Sequence, residues 1–177
     1  MMRDTLAGLH GGSEVDIIYE PGMAPGSVKE AASQLSDFVT ERFIDCPKEK
    51  YALLGFKTGA TATAMAAANL TSNIDNGRIK AVVLMSNPDR VPTLQGNVNE
   101  NGKTLKVGPI GIPSSGSSSG MHKYADTGRL LDICLTGDGD CDSRGPRRLD
   151  IKAADKYTYS NSIQSLGTRF LLSKLRA

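Results

Sequence analysis

The passage from Tyr51 to Leu70 constrains the fold most. An uncharged run, YALLGF, meets Lys57-Thr58-Gly59 and then an alanine-rich stretch that starts at Ala60. A run this short and this apolar fits a strand buried on both faces, and alanine has the highest helix propensity of any residue. Strand, sharp turn and helix therefore follow one another without a spacer. A strand apolar on both faces has to be covered from two sides, which points to a mostly parallel sheet between helices.

The rest of the chain repeats this alternation. Val15 to Tyr19 (VDIIY), bounded by Gly11-Gly12 and Pro21-Gly22, reads as a strand. From Ser27 onward Val28, Ala31, Ala32, Leu35, Phe38, Val39 and Phe43 recur at helical spacing. Ser27 as N-cap and Glu30 three residues on would form a capping box, and the helix is predicted to stop near Cys46-Pro47. Ile79 to Met85 and Leu130 to Leu135 read as further strands, and Ser162 to Leu175 as a closing helix carrying Ile163, Leu166, Phe170, Leu171 and Leu175. Asn87 to Gly120, rich in Gly, Asn, Pro and Ser and ending in SSGSSSG, is predicted to be loop. The expected class is α/β, a three-layer α/β/α sandwich in one domain over residues 1–177.

Charge excludes little except partners that need an excess of it. The 21 basic and 19 acidic side chains are interspersed and leave a net charge of +2, which gives no electrostatic reason to expect nucleic acid or an anionic membrane. The short basic cluster Arg144 to Arg148 reads as a solvated loop. No run approaches the ~20 apolar residues that span a bilayer, and MMRDTLAGLHGG lacks a charged leader followed by an apolar core, so no membrane span or visible targeting segment is expected. Of the three cysteines, Cys134 and Cys141 can close a tight disulfide loop. Cys46 is then odd, and is either bridged to a partner outside this segment or a buried reduced thiol. Asn69-Leu70-Thr71 is an N-glycosylation sequon. Asp138, Asp140 and Asp142 alternate as in a calcium loop, but the EF-hand spacing and its terminal glutamate are missing, so neither metal nor cofactor is expected.

In α/β-hydrolases the pattern G-x-S-x-G sets a serine on a strained turn between strand and helix, with glycines where side chains would clash. Here that turn reads Gly55-Phe56-Lys57-Thr58-Gly59. Cys46-Pro47 precedes it, the strand IKAVVLM followed by Asn87-Pro88 comes after it, then Cys134-Leu-Thr-Gly-Asp138-Gly-Asp-Cys141, and finally the helix that begins near Ser162. In this order, over nearly the whole chain, the sequence resembles the cutinase family, in particular its fungal cutinase-like esterases. The resemblance implies the cutinase-like hydrolase fold, a Cys134–Cys141 disulfide around an acid loop that presents Asp138, and secretion. It also implies that the family's first strand and its Arg-Gly loop are missing from this chain, leaving a sheet edge or groove, and that Cys46 lacks its partner.

Set against the family, two departures bear on activity. Lys57 stands where the resemblance puts the nucleophilic serine, and the place of the histidine falls near Asp155 or Lys156. The only histidines, His10 and His122, precede Asp138, so the Ser, Asp, His order cannot be completed. Lys57 is expected to pair with Asp138 or to be solvated, and Asp138 to serve as a turn-forming or lysine-paired carboxylate. His122 is expected to be an exposed loop residue. Lys57, Thr58, Tyr157 and Tyr159 are the candidate binding residues, and Tyr124 either lines the same groove or packs in the core. The expected function is that of a secreted, non-catalytic protein binding a cell-wall or lipid-like ligand or a protein partner. One alternative is a carboxylic ester hydrolase with a relocated nucleophile or a lysine-based mechanism. Another is one chain of a processed assembly, such as a toxin or effector, in which a second polypeptide supplies the missing strand and a bridge to Cys46.

Overall fold

The computed structural model describes residues 1–19, 25–73, 77–109, 118–144 and 151–177. In chain order the elements are α1 (Met2–Leu9), α2 (Pro25–Asp45), β1 (Tyr51–Phe56), α3 (Thr58–Asn73), β2 (Ile79–Met85), β3 (Asn97–Val98), α4 (Ser118–Asp126), β4 (Leu130–Ile133), α5 (Ile151–Tyr159) and α6 (Asn161–Leu175). The four strands form one sheet in the order β1-β2-β4-β3. Every pairing is parallel, with Phe56 beside Met85, Val82 beside Leu130 and Val98 beside Ile133.

The apolar strands are explained by what covers them. On β2, Val82 and Leu84 pack toward Val39 and Phe43 of α2, Ala60, Ala64 and Ala67 of α3, and Met121 and Tyr124 of α4. Ala81 and Val83 point the other way, into a cluster with Leu131 and Ile133 of β4, Tyr157 of α5, and Ile163 and Leu171 of α6. Successive strand residues face opposite sides, so a strand covered by helices on both faces carries apolar side chains toward each. Small residues let α3 serve two neighbours: Ala60 and Ala64 meet the sheet while Ala62 and Ala66 meet Ala31 and Ala32 of α2. A Cβ on Gly120 would lie 2.4 Å from Ala68, so α4 also closes on α3 at the backbone.

Several expectations change. Val15 to Tyr19 forms no regular element; without ladder bonds to a neighbour, β propensity alone does not make a strand. Ser27 lies inside α2, which begins at Pro25, rather than at its N-cap. The stretch from Asn87 contains β3 and the start of α4, both brought in by contacts with β4 and α3 rather than by local periodicity. His122 accordingly lies exposed on a helix rather than in a loop. Helices α1 and α5 were not expected: α1 packs on α6, where Gly167 admits Met1, since a Cβ at that position would come within 2.1 Å of the methionine. Residues 110–117 and 145–150, which carry most of the serine-rich run and of the basic cluster, lie outside the described residues.

Candidate functional site

The C-terminal ends of β1, β2 and β4 converge on one group of side chains. Lys57 takes the turn between β1 and α3 with φ +51°, in the left-handed region that non-glycine residues seldom adopt. The turn is held from both sides: the Lys57 N–H donates to Met85 O at 3.0 Å, and Lys57 O accepts from the Ala60 N–H at 2.8 Å. Gly55 is required here, because a Cβ would stand 2.4 Å from Gly59 O and 2.6 Å from Ala60 Cα. Gly59 is not required in that sense, since a Cβ there would meet only the Tyr19 hydroxyl, at 3.4 Å.

Lys57 does not reach Asp138. Its Nζ pairs with Asp140 Oδ2 at 3.2 Å, both side chains being about one quarter exposed (25% and 28%). Asp138 is already satisfied: its Oδ2 accepts from the Ser86 hydroxyl at 2.7 Å and from the Tyr157 hydroxyl at 2.8 Å. Its Oδ1 accepts the Asp140 N–H at 3.1 Å in an Asx turn, next to the residue that pairs with the lysine. Ser86 is fully buried and, like Lys57, has φ +51°. Two successive strand ends therefore turn through the left-handed region to face the acid loop.

That loop is closed by the Cys134–Cys141 disulfide, whose Cα atoms are 5.9 Å apart. Tyr157 locks it from below by accepting the Leu135 N–H at 2.8 Å while donating to Asp138. Burial, and then the negative charge of Asp138, push the Tyr157 phenol well above the ordinary tyrosine range. Asp142 is committed elsewhere, to Arg144 at 2.8 Å and to the Gly137 N–H at 3.0 Å. The Arg144 hydrogen bonds hold its carboxyl well below the usual range. The three alternating aspartates thus have separate sets of partners, and among the described residues no cluster of acidic, histidine or cysteine side chains is arranged to hold a metal ion.

The remaining candidates are dispersed. Tyr157 is buried structure, whereas Tyr159 is 78% exposed beside a shallow trough shared with Glu100, Leu135, Asp155, Lys156 and Ser160. Thr58 Oγ1 lies 3.4 Å from the Tyr19 hydroxyl. Tyr124 belongs to the core, with its hydroxyl on Ala67 O. His10 and His122 are exposed and neither is a partner of Asp138. Asn69 is exposed on α3, and Cys46 is a half-buried free thiol just past α2. Sequence reasoning missed Ser86 and the pairing of Asp140. The left-handed turn after β2 leaves no mark in sequence, but the acidic alternation around Asp138 was a usable signal for Asp140.

The family model described as Cutinase matches residues 4–175. The chain belongs to the cutinase family. Among solved structures it is similar to a cutinase-like protein from Cryptococcus sp., with TM-score 0.82 and 26% identity over 98% of this chain and 83% of that one. It also shares its fold with an acetyl xylan esterase, at TM-score 0.69 and 17% identity over 98% of this chain and 87% of the other. No curated protein matched it in sequence. In this cutinase-family chain the strand-to-helix turn carries Lys57, the disulfide loop carries Asp138, and both histidines lie elsewhere.

Proposed function

We propose that this cutinase-family chain is a secreted, non-catalytic protein that binds a cell-wall or lipid-like ligand at the C-terminal end of its sheet. The observation that carries the reading is at the turn: the residue presented there is Lys57, and its ammonium is paired with Asp140. Ester hydrolysis by a serine triad needs a hydroxyl activated by an imidazole that a carboxylate orients. Among the described residues Asp138 orients no imidazole; its Oδ2 accepts from the hydroxyls of Ser86 and Tyr157. Exposed Tyr159 and the trough beside it offer an aromatic surface flanked by the carboxylates of Glu100 and Asp155 and the ammonium of Lys156, a mixture suited to an amphipathic or hydroxyl-rich ligand. Secretion is supported by the Cys134–Cys141 disulfide, a bond that persists in oxidising compartments.

The residual-esterase reading has one specific observation in its favour: Ser86 Oγ lies 2.7 Å from a carboxylate. That hydroxyl is fully buried, so no ester carbonyl reaches it in this conformation. An imine at Lys57 would first require the pair with Asp140 to be broken. Assay of p-nitrophenyl esters of several chain lengths tests both readings, and no turnover above buffer is expected. Turnover abolished by Lys57→Ala or by Ser86→Ala would overturn the proposal. Binding is tested by sedimentation with insoluble cell-wall polysaccharide and with cutin, where Tyr159→Ala should release the protein from whichever it binds.

A further inference from the structure

Charge that is interspersed along the chain is segregated in the fold. The strands pair in parallel, so their first residues lie together at one pole, opposite the end that carries Lys57 and Asp138. Basic residues there form a ring around the start of β2. Lys50 precedes Tyr51, which pairs with Ile79. Arg129 Nη1 donates to Ile79 O at 2.8 Å. Next to Arg129, a Cβ on Gly128 would stand 3.6 Å from Lys174 Nζ. Leu175, which follows Lys174, accepts from Lys50 Nζ at 3.5 Å and closes the ring. Lys80 sits within it, directly after Ile79 and opposite the register shift between Tyr51 and Ala52. Two more cations adjoin it: Arg78, whose C=O accepts the Tyr51 N–H at 2.9 Å, and Arg176, which caps α6 and donates to Gly8 O at 2.8 Å.

The helices explain why cations gather here. α6 ends at Leu175, and the last carbonyls of a helix carry partial negative charge that favours lysine and arginine. That attraction leaves most of their charge unspent. Lys50 is exposed and commits one of its three donors, to the 3.5 Å contact, while Lys80 and Lys174 are half-buried. Among the described residues, none of Lys50, Lys80, Lys174 and Arg176 is in an ion pair. Of the carboxylates at this pole, Glu49 is bound to Arg42 and Tyr51. Asp45 and Asp126 end α2 and α4, which cover the opposite face of the sheet from α6. Because the whole chain carries only +2, six cations at one pole leave the remainder net negative. Counting charges along the sequence hides this asymmetry, and a one-signed patch of this kind draws in polyanions.

We propose that this pole anchors the protein to an acidic polysaccharide, a chain of uronic-acid sugars laid across Lys50, Lys80, Arg129 and Lys174. Successive carboxylates on one sugar chain meet several cations at once, so weak contacts add up, and lysine ammoniums act as point charges that need no fixed geometry. A lipid surface is less suited. The exposed large apolar side chain of this pole, Ile44, sits on α2, across the sheet from α6, so cations and apolar anchor do not face one plane together. Single-stranded nucleic acid stacks its bases on open aromatic rings, whereas Phe43 and Tyr124 are buried here and Tyr51 and Phe170 half-buried. The choice of a polysaccharide rests on the secreted reading above; the site itself shares no residue with the trough beside Tyr159.

Affinity electrophoresis of the intact chain through gels containing soluble polygalacturonate tests it, with hydroxyethyl cellulose as the neutral comparison. Retardation is expected with polygalacturonate alone, and should disappear between about 0.05 M and about 0.5 M salt as the charges are screened. The triple variant Lys50→Ala, Lys80→Ala, Lys174→Ala should bind about tenfold more weakly or worse. Lys29→Ala with Lys103→Ala and Lys106→Ala removes the same charge from exposed positions outside the ring and should bind as the wild type does. Arginine at positions 50, 80 and 174 should retain binding, which separates lost charge from lost fold. Tyr159→Ala should have no effect, so failure here is distinguishable from failure of the ligand site at the other pole. Equal retardation of the two triple alanine variants, or no retardation of the wild type at low salt, would overturn the proposal. So would equal retardation by the neutral polymer, or preferential binding of phosphatidylserine vesicles or single-stranded DNA.

Discussion

Two ion pairs join the sheet to the loops at its C-terminal end, and they differ in almost everything but charge. Arg90 and Asp132 are sealed in the interior, with side chains 0% and 3% exposed and Nη1 2.8 Å from Oδ1. Their remaining valences are largely used: Arg90 also donates to Asp132 O, and Asn87 Nδ2 donates to Asp132 Oδ2 at 3.0 Å. This network ties the loop after β2 to the middle of β4. Burial raises the Asp132 carboxyl and the arginine pulls it back, with burial the stronger influence. Lys57 and Asp140, by contrast, are each about one quarter exposed and are joined by a single contact. The difference teaches which of the two pairs this fold depends on. A buried pair cannot lose one member without stranding the other, whereas an exposed pair can be rewritten at little cost.

This comparison can be broken most severely at the interior pair. Arg90→Ala should destabilise the fold by about 3–5 kcal/mol, because buried Asp132 loses its cation and must either carry an uncompensated charge in the core or take up a proton. Urea unfolding checks this, and Arg90→Met combined with Asp132→Leu should recover most of the loss. Next in size, Tyr157→Phe should cost about 1–3 kcal/mol, since the Leu135 N–H loses its acceptor and Asp138 one donor. The smallest effect belongs to the exposed pair: Lys57→Ala should change stability by about 1 kcal/mol or less. A larger loss there would mean that the turn depends on the ion pair rather than on its backbone bonds.

A pH titration sharpens the same contrast. The Tyr157 phenol is raised in the folded state, so its contribution to stability is complete below the unfolded tyrosine value of about 10 and is lost as pH rises above it. Stability of the wild type should therefore fall more steeply above that pH than stability of Tyr157→Phe, as followed by urea midpoints across the alkaline range. Equal slopes would place the alkaline loss on other groups.

Much of the architecture was legible in the chain. β1, β2, β4, the alanine-rich α3 and the final helix are each announced by local pattern, and the cysteine pair around Asp138 by its spacing. What was not legible lacks local signal. β3 is two residues long and exists because Asn97 and Val98 pair with Asp132 and Ile133. α1 exists against α6, and α5 is short and closely followed by α6. The reverse failure is Val15 to Tyr19, a strand by composition that the structure leaves unpaired.

The sequence by itself determined the alternation of buried strands and helices, the identity of the residue at the β1–α3 turn, and the absence of a histidine after Asp138. These depend only on residue type and order. The tertiary structure decided that Lys57 pairs with Asp140 rather than Asp138, and that Ser86 and Tyr157 hold the acid. It also decided that Gly55 matters sterically where Gly59 does not. Each of those outcomes turns on distances of a few ångströms between elements far apart in the chain, and no local pattern encodes such distances.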